Sequence, residues 1–448
     1  MVDKPIPKKA FGQQDAESPA TLGFFFLCLY TALVLIRPHE WPVFNIQFPI
    51  LRTVLITTFF IYIVALRPKV WNAQCTLLVL MFFGMLMSEV RAFRYFSDLS
   101  LVIDWINSNT IPFILYLGFL STITRQKTIL LIAVAACIVM TQHAYIQIND
   151  PYGQGWAESV IYRNDGPTEM MQARYIGIFN DPNDMGMFLV MNIPIVVLFL
   201  TSTSSKLLKL IWLATLVVLC LGIYWTGSRG SLVGFMAVLF SFFYLRFGKV
   251  KSLILGGISV PVLLIAMGSF RSISKDDESS MQRLTAWYEG IQMLGHRPLF
   301  GFGKERFLEY HPKVAHNSFV TIMAELGAFG YVLWMTFLFL CFMMLLKVIK
   351  LKTKLEDPCE NIKQEITMAT YLVISLVGYC STAFFISRSY IMFFYIFAAM
   401  SAACFIRSSR LVGKETLSLT GKDVSKVMVL SAVSLFILCQ LIIILLKI

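Results

Sequence analysis

The chain has 448 residues, of which 57% are hydrophobic and 14% charged, with a mean hydropathy of +0.71 and a formal net charge of +12. This composition excludes a soluble domain and predicts an integral membrane protein. Apolar runs near the length that crosses a bilayer recur along the chain, which favours a helical bundle over a barrel of alternating strands. The positive residues lie between these runs, so the charge does not indicate binding to nucleic acid.

The amino terminus is polar and basic. The apolar run that follows it ends without a small-residue cleavage site, so we predict an uncleaved cytoplasmic tail over residues 1–21 and a single helical membrane domain over residues 22–448. The nine cysteines form no CxxC pair, which favours neither a disulfide framework nor a zinc site. We predict no metal and no cofactor.

Hydrophobic patterning predicts an all-α polytopic membrane protein with about 12–13 transmembrane helices. The span at 103–121 contains Asp104 and Pro112 and is one of the two least regular. Two long loops, at about 148–184 and 271–316, are predicted on the outer face. The predicted spans are 22–36, 50–66, 74–90, 103–121, 128–147, 185–201, 207–224, 230–247, 252–270, 318–346, 366–387, 389–406 and 427–446.

The two predicted faces use different cations. With the amino terminus inside, the cytoplasmic loops are rich in lysine, as at 347–363, whereas the outer loops are rich in arginine. Arginines at interfaces can arise by chance or by snorkelling. A planar guanidinium, however, binds phosphate in a bidentate geometry that an ammonium cannot reproduce. The pattern therefore also fits an outer-face site for a phosphorylated lipid.

The segment from Arg283 to Gly330 carries the densest pattern of polar residues, including three of the five histidines. A helix starting at Asn317 or Ser318 would place His316 at its amino-terminal end. There the helix dipole disfavours the imidazolium and keeps the ring neutral, as a general base requires. The competing histidines, His296 and His311, are predicted to lie in loop.

A short turn at Thr226–Gly230 joins two predicted spans and contains Arg229. A charge at such a helix junction is costly and usually has a partner. The plainer interpretation is an interfacial arginine that contacts lipid phosphate. At the end of the first outer loop, residues 180–186 are predicted to form a turn and cap the next helix.

Several further residues are candidate substrate contacts. Trp287 could stack on a sugar ring or simply anchor the membrane interface. Three cations could contact phosphate, but nearby glutamates could equally pair with them. These cations are Arg297, Lys304 and Arg306, and the glutamates are Glu289, Glu305 and Glu309.

Four motifs in chain order, TGSRG, R(x3)W(x2)G, P(x2)GFG and HN(x9)G(x2)G, resemble the O-antigen ligase and polymerase superfamily of membrane glycan transferases. The resemblance covers about residues 175 to 345. The segment after the first span, RPHEW at 37–41, is similar to the O-glycosylation ligases of exosortase-associated systems. The motif residues are Thr226 to Gly230, Arg283, Trp287, Gly290, Pro298, Gly301, Phe302, Gly303, His316, Asn317, Gly327 and Gly330.

The resemblance implies a helical glycosyltransferase that uses lipid-linked donors, generally without a metal. It implies a bacterial inner-membrane protein that acts at the periplasmic face on an undecaprenyl-pyrophosphate-linked glycan. Arg229 and Arg283 match positions that hold the pyrophosphate, and His316 matches the essential histidine. We expect additional substrate contacts from Arg297, Lys304, Arg306, Trp287 and Asn317.

Two alternatives remain open at this point. A transporter or flippase of the same lipid-linked sugar would share the arginines, but such proteins commonly show internal repeats and charges deep within spans, which this sequence does not show. A purely structural subunit would not need Arg and His on one face. Within the transferase class, the acceptor could be lipid A core, a growing polysaccharide or a protein hydroxyl.

Overall fold

The computed structural model describes residues 20–44, 46, 48–92, 99–164, 169–245, 248 and 278–446. Nearly all of the predicted tail and the whole predicted span 252–270 lie outside the described residues. The helices are α1 Ala20–Leu35, α2 Ile50–Ala65, α3 Ala73–Ala92, α4 Leu99–Trp105, α5 Ile111–Phe119, α6 Ile123–Asn149, α7 Pro182–Ser202, α8 Lys206–Trp225, α9 Arg229–Leu245, α10 Glu278–His296, α11 Ser318–Ile349, α12 Leu351–Lys354, α13 Glu360–Ala383, α14 Met392–Val412 and α15 Gly421–Leu445. One antiparallel hairpin pairs β1 Ile161–Asn164 with β2 Glu169–Gln172.

The helices match the predicted spans. Within the described residues, seven helical stretches are long and apolar enough to cross a membrane, and four further apolar helices are shorter. Each predicted span that falls in the described part of the chain overlaps a helix. The prediction of an all-α polytopic membrane protein is confirmed, and the number of spans stays a prediction.

The irregular span at 103–121 is helical but not uniformly so. A π-helical turn, Ile106–Thr110, joins α4 to α5. Pro112, at the start of α5, lacks a backbone N–H, and its ring needs room in the preceding turn. The wider π turn supplies that room.

Two long helices organise the bundle. Helix α11 packs against α3, α13, α14 and α15, and α7 packs against α8 and α13. The peripheral helices α8 and α15 leave large apolar side chains exposed, among them Leu210 at 63% and Phe436 at 65%. Exposed apolar faces of this size are suited to lipid rather than water.

The predicted outer loop 271–316 contains an element that the hydrophobic pattern did not indicate. Helix α10 occupies Glu278–His296, so His296 ends a helix instead of lying in loop. Helix α10 is polar on one side and packs with the other against α11 and α15. Helix α10 is too polar to match the pattern of a transmembrane span, so the hydrophobic pattern alone predicts loop over these residues.

The RPHEW segment at 37–41, which follows α1, packs against the first outer loop. Arg37 forms an ion pair with Glu40 and lies directly against Gly177. The indole Nε1 of Trp41 donates a hydrogen bond of 2.9 Å to the Tyr175 hydroxyl, which donates 2.6 Å to the Ile36 carbonyl. This segment therefore fixes the position of the chain that leads into α7.

Candidate active site

The loop before His316 docks on a kink in helix α11. The kink lies at Gly327, which has φ 63° and ψ −168° inside an otherwise helical segment. Gly301 faces it with φ 65°, and the two backbones approach so closely that neither position has room for a Cβ. Backbone amides cross between the two segments, with Ala328 N 2.8 Å from the Pro298 carbonyl. Gly301 of P(x2)GFG and Gly327 of HN(x9)G(x2)G thus lie in direct backbone contact with each other.

His316 is held on both sides by its neighbours in the chain. The carbonyl of Ala315 accepts a hydrogen bond of 2.8 Å from Trp287 Nε1, and Asn317 caps helix α11. Between them His316 adopts φ 47°, a left-handed conformation that histidine tolerates better than most residues. Its side chain is half-buried. The predicted helix start at Ser318 is confirmed, and His316 directly precedes the capping residue Asn317.

Asn317, which we expected to contact substrate, caps helix α11. Its Oδ1 accepts hydrogen bonds from Phe319 N at 2.9 Å and Val320 N at 3.2 Å, and the residue is fully buried. Its buried Nδ2 has no hydrogen-bond partner among the described residues, so the expected substrate contact stays a prediction, while the bonds to Oδ1 fix the start of the helix. Asn317 therefore positions His316 by fixing where the helix begins.

Helix α10 places Arg283 one turn before Trp287. Arg283 is half-buried, whereas Trp287 is 9% exposed and packs edge-on against Phe384 at 5.4 Å between ring centroids. So little of the indole is exposed that it has almost no face to offer a sugar. Its contacts favour a positioning role for Trp287, and the substrate contact expected from the resemblance stays a prediction.

The turn at Thr226–Gly230 is confirmed between α8 and α9, and it brings Arg229 to the same region. Ser228 Oγ donates a hydrogen bond of 2.6 Å to Asn183 Oδ1. A Cβ at Gly230 would lie 2.9 Å from Phe385 Cβ. Arg229 is half-buried between these two contacts. The short turn that carries Arg229 therefore packs against the start of α7 and the residues that follow α13.

The connection between α13 and α14, which we name the 384–391 segment, joins these parts. Phe384 contacts Trp287, and Phe385 contacts the turn of Arg229. The Ile386 carbonyl accepts a hydrogen bond of 2.6 Å from Ser318 Oγ, at the start of the helix that follows His316. The 384–391 segment thus contacts a residue close in sequence to each of the predicted catalytic residues: Gly230 beside Arg229, Trp287 one turn after Arg283, and Ser318 two residues after His316.

Arg388 in this segment was not singled out by the sequence. Its Nε donates to Asp184 Oδ1 at 2.6 Å, and Asp184, in the first turn of α7, is 1% exposed. Loss of hydration is the largest single influence and lowers the pKa of Arg388, but the combined interactions with Asp184, Asp181 and Glu305 raise the pKa overall. The guanidinium therefore stays charged, with 43% of its side chain exposed. The only sequence signal was an arginine in a predicted outer turn.

The three further cations differ in how they are used. Lys304 is 5% exposed and pairs with Glu305, and Arg306 pairs with Glu309 at 3.4 Å, as the alternative interpretation allowed. Arg306 also donates 2.8 Å to Glu89, a buried carboxylate of α3.

Arg297 lies over the ring of Phe302 at 4.5 Å. Among the described residues, its buried Nη1 has no hydrogen-bond partner. Nη1 of Arg297 is therefore a donor that no contact among the described residues uses.

A cavity of about 660 Å³ opens beside these elements. Its walls are the chain at 177–184, the loop at 305–314, the 384–391 segment and two residues of α11, Thr321 and Glu325. Val314 and Thr321 line it, and they flank His316 in the sequence. Thr321 Oγ1 donates 2.8 Å to Ser387 Oγ across one wall. The cavity therefore lies next to the segment that carries His316.

A family model described as O-antigen ligase matches residues 214–335. This region is similar to the O-antigen ligase family. The matched part of the chain contains Arg229, Arg283, His316 and the Gly301–Gly327 contact. The resemblance carried by the sequence motifs is therefore confirmed. A search of curated proteins finds no match to the chain.

The match to the O-antigen ligase family, together with the apolar helices, supports a multi-pass membrane protein that resembles glycan ligases and polymerases. The family region does not include Asp184 or the 384–391 segment, which lie on either side of it in the sequence. These two flanking parts fold back onto the family region, where they form the walls of the cavity.

Proposed function

We propose that this protein transfers an undecaprenyl-pyrophosphate-linked oligosaccharide or polysaccharide to an acceptor hydroxyl. The proposed location is the periplasmic face of a bacterial inner membrane. The observation that carries the proposal is the convergence of three family motifs on the 384–391 segment. That segment brings the turn of Arg229, the helix of Arg283 and the start of α11 after His316 into one region.

In the proposed reaction His316 is the general base. It removes the proton of the acceptor hydroxyl while that oxygen attacks the anomeric carbon of the donor's first sugar. The bond between this carbon and the pyrophosphate oxygen breaks, and its electron pair leaves with the pyrophosphate. A single displacement inverts the configuration at the anomeric carbon. The proton remains on His316 until it is lost to solvent.

Arg229 and Arg283 are proposed to hold the leaving pyrophosphate. Both side chains are half-buried, and guanidinium groups act most strongly on developing charge where water is restricted. Two guanidiniums can offset the charge on the leaving group, so we expect transfer without a divalent metal. Arg297 is proposed as an additional phosphate contact, because its Nη1 lacks a partner among the described residues.

The decisive experiment uses His316→Ala in purified protein with a lipid-linked glycan donor. Loss of the base should lower the rate by about a hundred- to ten-thousand-fold, the usual range for general-base catalysis. Binding of the donor should change little. The control is His311→Ala, because the His311 ring bonds only to the backbone of Lys313 in the described contacts. Near-parental turnover in His316→Ala would show that His316 is not the base.

The arginine assignment has its own test. Arg229→Lys and Arg283→Lys should each be nearly as inactive as the alanine variants and should bind the donor more weakly, since an ammonium lacks the paired contacts of a guanidinium. Arg410→Lys is the control, because Arg410 is exposed near the end of α14, away from the 384–391 segment. Full activity in either lysine variant would remove that arginine from the site.

A further inference from the structure

A second cavity, of about 680 Å³, lies at the opposite end of the bundle from the candidate active site. Helix α11 connects the two, because Ser318 at its start contacts the 384–391 segment and Met344 near its end lines this cavity. The helix has 32 residues and therefore extends up to about 48 Å at about 1.5 Å per residue. Helices α3 and α15 both begin at the cavity, which we name the α3–α15 cavity. A ligand bound there is remote from His316.

Cations dominate the charge of the α3–α15 cavity. Three line it, and its walls contain no carboxylate among the described residues. The three lining cations are Lys69, Arg410 and Lys414. Asp423, in the first turn of α15, lies outside the lining and pairs with Lys347 at 2.7 Å, and Glu415 does not line the cavity either. A net positive charge therefore faces any ligand that enters.

These cations keep hydrogen-bond donors for a ligand. Arg410 and Lys414 are exposed, and within the described part of the chain neither side chain has a hydrogen-bond or ion-pair partner. Nζ of Lys69 donates to the carbonyls of Tyr62 and Ile63 at the end of α2, and because an ammonium has three N–H donors, one stays available. The amino-terminal ends of α3 and α15 add partial positive charge. This set of donors suits a phosphate group.

The surroundings of the α3–α15 cavity favour a lipid over a free phosphate. Trp71 lines the cavity with 62% of its surface exposed, and tryptophan is enriched where a membrane meets water. Phe405 and Val424 line it as well. Farther along the same two helices, apolar side chains are exposed, among them Phe83 of α3 at 50% and Val429 of α15 at 62%. A free phosphate would contact only the cations, whereas a phospholipid would also cover these apolar surfaces.

We propose that the α3–α15 cavity binds the headgroup of an anionic phospholipid, whose acyl chains lie along the exposed apolar side chains of α3 and α15. The phosphodiester accepts hydrogen bonds from Lys69, Arg410 and Lys414. With the lysine-rich loops inside, as the charge pattern predicts, this lipid belongs to the cytoplasmic leaflet, where basic pockets between helices bind anionic headgroups. The site is independent of the proposed transfer reaction, so failure of one does not bear on the other.

Native mass spectrometry of the full-length protein in detergent tests the site by counting bound lipids. The probes are dioleoyl phosphatidylglycerol and dioleoyl phosphatidylcholine, which share their acyl chains and differ in net charge. The parent should bind the anionic lipid more tightly by about tenfold or more. The combined variant Lys69→Gln, Arg410→Gln and Lys414→Gln should lose most of this preference, and the single charge reversal Lys414→Glu should lower it. Arg410→Lys should preserve it, because an ammonium also binds phosphate as a point charge.

The matched control removes the same charge from the same predicted face. Lys350→Gln, Lys352→Gln and Lys354→Gln together replace three exposed lysines at and within α12 that do not line the cavity, so the preference for phosphatidylglycerol should persist. The proposal is overturned if this control loses as much preference as the cavity variant, if the parent binds phosphatidylcholine equally, or if the cavity variants bind like the parent. Displacement of the lipid by millimolar inorganic phosphate would show a free-phosphate site and would overturn it as well.

Discussion

Replacing Gly327 with alanine tests whether the loop before His316 depends on the kink in α11. At φ 63° and ψ −168° the backbone occupies a region that is essentially restricted to glycine, and a side chain there costs about 1–3 kcal/mol. The added Cβ would lie 2.6 Å from both Leu299 O and Gly301 N. These are backbone atoms, which cannot rotate away. The loop must therefore withdraw from the helix.

Withdrawal breaks the hydrogen bonds from Ala328 N to Pro298 O, at 2.8 Å, and from Phe329 N to Leu299 O, at 3.1 Å. Each is worth about 0.5–1.5 kcal/mol net, so with the backbone strain the free energy of unfolding should fall by about 2–6 kcal/mol.

The assay is thermal unfolding of purified protein in detergent, followed by tryptophan fluorescence, with glycan transfer measured in parallel. Gly327→Ala should melt several degrees lower and lose transfer activity, because the displaced loop carries Glu305 and leads to His316. Gly295→Ala is the control, since a Cβ there meets nothing within 4 Å and alanine favours a helix by up to about 1 kcal/mol. Equal melting temperatures for the two variants would refute the proposed dependence on the kink.

Two further predictions concern the fold. Glu365→Ala should destabilise the protein by about 3–5 kcal/mol, because it leaves the buried guanidinium of Arg407 without its counter-charge. Arg407 Nε and Nη2 donate to the two carboxylate oxygens of Glu365 at 2.6 and 2.9 Å. The control is Lys363→Ala, which breaks the surface ion pair of Lys363 with Asp357 at 3.6 Å and should change the melting temperature by no more than about a degree. Equal losses of stability in the two variants would contradict this account. For topology, a membrane-impermeant thiol reagent on intact cells should spare the exposed Cys359 and label a cysteine introduced at Leu308, and the reverse pattern would invert the proposed orientation.

Local features of this protein were readable from the sequence alone. The spans, the helix start at Ser318 and the cap before α7 all depend on residues that are close in the chain. Asp181, for example, accepts a hydrogen bond of 2.8 Å from Asn183 N at the predicted start of α7. The motif residues around Arg229, Arg283 and His316 likewise form contiguous patterns, so the family resemblance needed no structure.

Long-range contacts decided the rest, because hydrophobic periodicity and motif spacing carry no information about which distant segments meet. Arg388 and Asp184 are 204 residues apart, and Arg306 and Glu89 are 217 apart, yet each pair is in contact. The sequence left open whether Trp287 stacks on a sugar or anchors the membrane interface, and only the structure shows that it packs against Phe384. The sequence by itself determined a membrane protein with a region similar to the O-antigen ligase family and three candidate catalytic residues. Only the packing of the 384–391 segment against α7 and α11 formed the cavity, since its lining residues come from separate parts of the chain.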